Sequence, residues 1–290
     1  MKTILVPTDF SKCSLYGLDF ARRIAEKKGA TIHLFNAALT TSYYYASDPF
    51  VIAPPASVMS QSINESLKKN SRAGLQKISR MKSLSGVNVI THTEVTTNLH
   101  YEILDYADKI KADIIVMGTK GASNLKDILI GSTAERVARF STRPVLVIPS
   151  PVKSDPRKIV FASDFTGEAY AIFPFIRRFS EIFGAEIYLL KVNTTQQFKP
   201  TGEDRKLIEK FKNKFGKNLN SEIYNDYMKE EGILNYSNQI NADIIAIGTH
   251  GKKGLARFLK QNVSEGVIRL SSRPVLLVNL KKYKPKSDLI

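Results

Sequence analysis

Three glycines and a serine at fixed spacing are the residues of this sequence best suited to ligand chemistry. Gly118 and Gly121 follow an apolar run, and Gly131 and Ser132 follow nine residues later at the start of a helical pattern. Glycine lets the backbone turn sharply and approach a ligand, because it has no Cβ. We expect Gly131 to expose its amide at a helix start, where unpaired amides and the positive end of the dipole favour phosphate. The spacing therefore predicts a phosphate-binding loop.

The neighbouring side chains strengthen this prediction. Ser132 and Thr133 add hydroxyl groups, and Lys120 adds a positive charge. A purely structural interpretation is the alternative, in which the first two glycines make a turn after a strand and Ser132 caps a helix. The third glycine, followed at once by serine at a helix start, favours phosphate binding.

A constellation for fast catalysis is not evident in the sequence. It contains no Walker A lysine motif, no paired carboxylates beside the glycines and no Ser-His-Asp or Cys-His arrangement. The single cysteine, Cys13, is expected to be a packed or half-buried helix residue. The four histidines show no metal-ligand spacing. We therefore expect a binding protein that is not an enzyme and has no metal site of its own.

The chain contains an internal repeat. Each copy must provide the strands and helices that position these residues. Three segments return in the same order: ILVPTDF (4–10) as IVFASDF (159–165), ADIIVMGTKG (112–121) as ADIIAIGTHG (242–251), and STRPVLVIP (141–149) as SSRPVLLVN (271–279). Repeats of this kind indicate two copies of one domain. We place the domains at 1–150 and 151–290, with the proline-rich linker at 149–157.

In each copy, short runs rich in valine and isoleucine alternate with longer segments of helical period, which is typical of βαβ units and a parallel sheet. The predicted strands lie near 2–6, 31–36, 87–95, 113–118 and 144–148, and near 158–162, 185–191, 221–227, 243–248 and 274–279. The predicted helices of the first copy lie near 12–28, 62–84, 99–111 and 132–141. The fold class is therefore α/β, with two doubly wound sheets.

A long connection follows the second strand of the first copy, from Thr40 to Ser57, and contains three consecutive tyrosines and a phenylalanine. A long connection in a compact domain is usually functional or disordered. The aromatic residues favour an ordered flap that packs over the ligand or over the neighbouring domain.

The net charge of +16 is unusual and raises the question of a nucleic-acid partner. The charge is spread over both halves, apart from four lysines between 281 and 286, and no nucleic-acid-binding motif accompanies it. Specific nucleic-acid binding is therefore not expected. The start of the chain lacks a signal-peptide pattern, and no stretch has the length of a membrane span. We expect a cytoplasmic protein without a membrane partner.

The sequence resembles the universal stress protein family. The segment from Gly118 to Ser132 fits that family's pattern of glycine, two residues, glycine, nine residues and glycine-serine, and ILVPTDFS and RPVLVIP resemble its first and last strands. The resemblance covers both halves, as in two-domain members. It implies a five-stranded sheet of order 3-2-1-4-5 in each copy.

The resemblance also implies an ATP site in the first copy. It places Asp9 and Ala37 against adenine, and Pro7, Met117 and Gly118 along the nucleoside. It further implies that the phosphates and a divalent Mg or Mn cation are held by Gly121, Gly131, Ser132 and Thr133, with Lys120 beside them.

The second copy departs from this pattern. It keeps Asp164, Gly248 and Gly251, but Ala162 replaces Pro7, and Gln261 and Asn262 replace Gly131 and Ser132. A glutamine side chain at the closest backbone approach would fill the volume of a phosphate. We therefore expect ATP in the first copy alone, with His250, Lys252 and Lys253 as a weak site for another anion.

Three classes of function remain open. The leading one is a stress-response regulatory module that binds ATP without fast turnover and presents a changed surface to a protein partner. An adenylating or pyrophosphatase-like enzyme shares the fold, and fold does not settle function. A protein that holds lipid instead of nucleotide is the third. We also expect the last strands of the two copies to pair as a pseudo-dimer, since an open apolar edge invites pairing and self-association.

Overall fold

The computed structural model describes residues 1–40, 56–119, 131–249 and 263–279; the side chains of 56–60 and 249 are not described. The connection at 41–55, the pairs Lys120–Gly121 and Gln261–Asn262, residues 250–253 and the lysines of the tail therefore lie outside the described residues. The strands are β1 (Thr3–Pro7), β2 (Thr31–Leu39), β3 (Val89–Thr96), β4 (Ile114–Gly118), β5 (Val145–Ile148), β6 (Lys158–Ala162), β7 (Glu186–Asn193), β8 (Asn220–Asn225), β9 (Ile244–Thr249) and β10 (Val275–Asn279).

Eight α-helices connect these strands within the described ranges. They are α1 (Lys12–Lys28), α2 (Ala56–Ser79), α3 (Leu99–Lys109), α4 (Ser132–Phe140), α5 (Gly167–Phe183), α6 (Thr201–Phe215), α7 (Lys229–Gln239) and α8 (Val263–Leu270). The helix predicted at 62–84 begins earlier and ends at Ser79, and a separate 3-10 turn covers Lys82–Leu84. The strand predicted at 31–36 continues three residues further, to Leu39, and the other predicted elements match the structure or differ by one or two residues at their ends.

The described strands form one sheet of order β3-β2-β1-β4-β5-β10-β9-β6-β7-β8. The predicted order 3-2-1-4-5 is therefore confirmed in the N-terminal half (β1 to β5), and the C-terminal half (β6 to β10) repeats it. Neighbouring strands are parallel within each half, whereas β5 and β10 are antiparallel, with Leu146 opposite Leu276. The predicted pairing of the two last strands is thus present. The domain boundary at residue 150 stays a prediction.

Helices cover both faces of the sheet, which explains why β1, β4 and β5 are apolar at consecutive positions. Successive strand residues point to opposite faces. Ile4 and Val6 pack with α1 and α2, whereas Leu5 packs with α3 and α4. Residues of both halves pack together on each face of the sheet, and on one face Phe20 of α1 lies 5.6 Å from Phe183 of α5 between ring centroids.

Unusual backbone angles recur at matching places in the two halves. Phe10 and Phe165, which end the ILVPTDF and IVFASDF segments, both adopt a positive φ, at 65° and 53°. Lys111 and Asn241, which precede the ADII segments, do the same at 50° and 51°. Non-glycine residues adopt this conformation rarely. The repeat therefore preserves local geometry that side-chain type does not favour.

No helix among the described residues is long and apolar enough to cross a membrane.

Candidate functional site

Several of the residues predicted to bind a ligand in the N-terminal half lie toward the carboxyl ends of adjacent strands. β1 pairs with β2 on one side and with β4 on the other. The chain winds outward from β1 to β2 and β3, then returns to place β4 on the opposite side of β1. Ligands of open parallel sheets bind where the winding reverses in this way. Pro7, Ala37 and Gly118 are therefore brought to one edge of the sheet.

A backbone hydrogen bond joins the end of β4 to the start of α4. The Gly131 amide donates to the Thr119 carbonyl at 2.5 Å. Thr119 and Gly131, the described residues on either side of 120–130, are therefore adjacent to each other at the end of β4. Lys120 and Gly121 fall in that segment and are not described.

The amide of Gly131 is not available to a ligand in this structure, so the prediction of an unpaired amide at that residue was wrong. Gly131 is the N-cap of α4, with φ −60° and ψ 134°, and no side-chain hydrogen bond caps the helix. The first amides within a helix have no partner inside it. The amides of Ser132 and Thr133 are consequently among those without a partner inside the helix, and Ser132 is exposed while Thr133 is half-buried.

Gly118 has a packing role that the sequence prediction missed. A Cβ on Gly118 would collide with the carbonyl oxygen of Cys13 and lie 2.6 Å from its carbonyl carbon. A Cβ on Gly17 would lie 3.1 Å from the Gly118 nitrogen. The two glycines let α1 lie directly against the end of β4. Cys13 is half-buried in α1, as predicted.

The turn after β1 presents Asp9 to solvent. Its Oδ1 accepts a hydrogen bond from the Ser11 amide at 3.1 Å. The Thr8 hydroxyl accepts from the Phe10 amide at 3.1 Å and shares a 2.9 Å hydrogen bond with the Ser14 hydroxyl. Asp9 is exposed, while Pro7 and Met117 beside it are buried and Ala37 is half-buried. A polar group above apolar neighbours suits a heterocyclic base and its sugar.

A chain of buried polar side chains that was not predicted from the sequence supports this turn. The side-chain amide of Asn36 donates a hydrogen bond from Nδ2 to the Thr8 carbonyl at 2.7 Å. Ser71 of α2 donates to the Asn36 side-chain oxygen, and Thr93 of β3 donates to the Ser71 hydroxyl at 2.5 Å. The one signal in the sequence is an asparagine directly after the apolar run of β2. This chain fixes the end of β2 against the end of β1.

A cluster of ionisable groups lies near the end of β3. The rings of His92 and Tyr106 stack with centroids 4.3 Å apart, and His33 Nδ1 lies 3.2 Å from the Tyr106 hydroxyl. Burial lowers the pKa of His33, and His92 lowers it further. Burial also raises the pKa of Glu102, with a smaller contribution from Glu94. Within the described ranges, no group of three or more His, Cys, Asp or Glu could hold a metal ion.

The matching aspartate of the C-terminal half forms ion pairs with two lysines. Asp164 follows β6 as Asp9 follows β1, but Lys191 Nζ lies 2.5 Å from Asp164 Oδ1 and Lys229 Nζ lies 3.1 Å from both carboxylate oxygens. Burial opposes ionisation of Asp164, but the charges of Lys229 and Lys191 outweigh it and lower the pKa of this carboxyl. Ala162, the counterpart of Pro7, is buried at the end of β6.

Comparison with known proteins agrees with this architecture. The model of the universal stress protein family matches residues 1–149 and 225–279. Universal stress protein MJ0531 of Methanocaldococcus jannaschii is 39% identical over 153 residues, which are 52% of this chain and 84% of that protein. A second protein of that organism, universal stress protein MJ0577, is 29% identical over 153 residues, and the match covers 51% of this chain and 94% of that protein.

A solved structure matches the whole arrangement of strands and helices. The crystal structure of a universal stress protein from Archaeoglobus fulgidus superposes with a TM-score of 0.71 at 21% identity, and the match covers 96% of both chains. At that identity the likeness shows the fold alone.

Proposed function

This chain belongs to the universal stress protein family, and we propose that it is a stress-response regulatory module whose N-terminal half binds one ATP without fast turnover. The observation that carries the proposal is the hydrogen bond from Gly131 to Thr119, which holds the start of α4 beside the end of β4. An uncapped helix start at the reversal point of a parallel sheet is a favourable place for phosphate.

The donor set at this place fits a nucleoside triphosphate. Ser132 and Thr133 would supply amides and hydroxyls to the phosphates, Gly121 would help to hold them, and Lys120 would add a counter-charge. A Mg or Mn ion bound to the phosphates would offset their negative charge. Asp9 and Ala37 would contact the adenine, and Pro7, Met117 and Gly118 would line the nucleoside.

The proposed absence of fast turnover rests on which side chains stand near the phosphate position. In the described part of this site, the acidic residue of the first turn of α4 is Glu135, and the exposed carboxylate of Asp9 lies across at the end of β1. Efficient phosphoryl transfer needs a positioned base or water-orienting group beside the reacting phosphate. We propose that neither of these two carboxylates takes that role. ATP would thus act by ordering the glycine segment and altering a surface that a protein partner recognises.

Calorimetric titration of the full chain with ATP, AMP and cyclic nucleotides tests the proposal through stoichiometry and affinity together. We expect one ATP per chain. Mass spectrometry of the protein as purified should show nucleotide, whereas a bound acyl chain would favour the lipid-binding alternative. Sustained hydrolysis faster than roughly 1 per second would favour the enzyme alternative.

A further inference from the structure

A buried polar chain in the N-terminal half is replaced by charged side chains in the C-terminal half. In the N-terminal half Pro7 pairs with Phe35, so the next residue of β2 is Asn36. In the C-terminal half Ala162 pairs with Leu190, so the residue at the same place is Lys191. Asn36 donates to the backbone of Thr8, but the longer Lys191 side chain reaches one residue further, to the Asp164 carboxylate.

A second substitution accompanies the first on the helix that covers it. The buried positions Ser71, Leu75 and Ile78 of α2 have the same spacing as Asp204, Ile208 and Phe211 of α6. These helices occupy matching places, against β3 and β8. Asp204 therefore stands where Ser71 contacts Asn36.

Asp204 is a second ionisable side chain buried at this place in the C-terminal half. Its side chain is completely buried, and neither carboxylate oxygen has a hydrogen-bond partner in the described structure. A buried carboxylate is costly without a nearby opposite charge. In the repeat Asp204 and Lys191 match Ser71 and Asn36, so two ionisable residues replace two neutral ones at this place, and the Lys191 side chain is only 10% exposed.

Lys229 completes the arrangement from a third element. It is the first residue of α7, the place that uncharged Leu99 holds in α3. Its ammonium contacts both oxygens of Asp164, so that carboxylate is shared by two lysines. In the N-terminal half Asp9 forms no ion pair with any described residue, and its Oδ1 accepts from the Ser11 amide instead.

We infer that Lys191 is the residue that closes the C-terminal half to a nucleoside, by occupying the carboxylate that the N-terminal half leaves open to its ligand. The inference rests on the proposed nucleotide binding and extends it to the choice between the two halves. Gln261 and Asn262 match Gly131 and Ser132, so they would exclude the phosphates. Lys191 would instead exclude the base and sugar, because it pairs with the counterpart of Asp9.

Transplanting the charges into the N-terminal half tests the inference. In the full chain, N36K/S71D should place an ammonium on Asp9 and weaken ATP binding at least about tenfold, since the carboxylate loses its ligand partner. N36M/S71N is the matched control, with side chains of similar size and no charge, and should bind ATP more tightly than N36K/S71D. Equal ATP affinity of the two variants, both shown to be folded by circular dichroism, would overturn the inference.

A second measurement separates this inference from the proposed function and does not require N36K/S71D to fold. In K191M/D204N, carbon-detected NMR titration should show a higher pKa for the Asp164 carboxyl than in wild type, because one of its two cations is gone. An unchanged pKa would show that Lys191 does not occupy Asp164. If wild type binds no ATP at all, the proposed function fails, while this titration still decides whether Lys191 occupies the site.

Discussion

The amide of Gly131 donates a hydrogen bond to the carbonyl of Thr119, so the eleven-residue segment between them begins and ends at one point of the sheet edge. Gly131 adopts φ −60° and ψ 134°, angles that any L-residue accepts. The glycine is therefore not needed for backbone conformation. We expect its missing side chain to leave space beside the first amides of α4.

This relationship makes a double substitution informative. Replacing Gly131 and Ser132 by the glutamine and asparagine found at the matching places of the second copy should leave the fold intact. It should fill the phosphate position and remove a hydroxyl, which together weaken ATP binding by roughly 30-fold or more. Calorimetry measures the affinity. In melting experiments, ATP should stabilise wild type and have little effect on G131Q/S132N.

Two results would contradict this prediction. One is undiminished ATP binding by the double variant. The other is a titration of wild type that shows two equivalent ATP sites per chain, because the C-terminal half would then bind nucleotide despite its substitutions.

The contact between α1 and β4 predicts a large stability effect at Gly118. Gly118→Ala should lower the free energy of unfolding by about 1–3 kcal/mol, because the new methyl group meets the backbone of Cys13 and cannot be relieved by a side-chain rotation. Gly202→Ala is the matched control, since a Cβ there meets nothing within 4 Å in the first turn of α6. Urea unfolding measures both. Equal stability of the two variants would show that α1 can move away from β4.

The antiparallel pairing of β5 with β10 predicts that residues 1–150 will self-associate when expressed alone. That fragment exposes the apolar edge of β5, where Leu146 and Val147 lie opposite Leu276 and Val275 in the full chain. A second fragment can offer the same edge in an antiparallel arrangement. Analytical ultracentrifugation should show a dimer, and a monomeric, well-folded fragment would contradict the prediction.

The ion pairs of Asp164 predict a pH dependence of stability. Because the pKa of Asp164 is lowered in the folded state, its charge stabilises the protein above the unfolded-state pKa of about 3.9. That contribution is lost as the pH falls through the lower, folded-state value. The stability difference between wild type and Asp164→Asn should therefore be full near neutral pH and shrink below about pH 4.

The effect on total stability is expected to be modest, since half of the Asp164 side chain is exposed to solvent. Adding Lys229→Met in both backgrounds supplies the control. If Lys229 acts through Asp164, its substitution should matter less in the Asp164→Asn protein. A difference between wild type and Asp164→Asn that stays constant down to pH 3 would contradict the assignment.

Much of the architecture could be predicted from the sequence because it depends on local pattern. Apolar runs such as Ile114–Gly118 specify buried strands, and the repeated segments specify that whatever fold one half adopts, the other adopts too. The spacing from Gly118 to Ser132 placed a helix start after the fourth strand, and α4 begins at Ser132. These features are set by residues near one another in the chain.

Only the tertiary structure decided which groups meet across the sheet. It showed that Gly118 serves α1, that the Gly131 amide is already paired, and that Asn36 is tied to Ser71 and Thr93. It also brought Lys191 and Lys229 onto Asp164 from elements 27 and 65 residues away. Hydrogen bonds and ion pairs depend on distances of a few ångströms between side chains far apart in sequence, and a pattern read along the chain does not contain those distances.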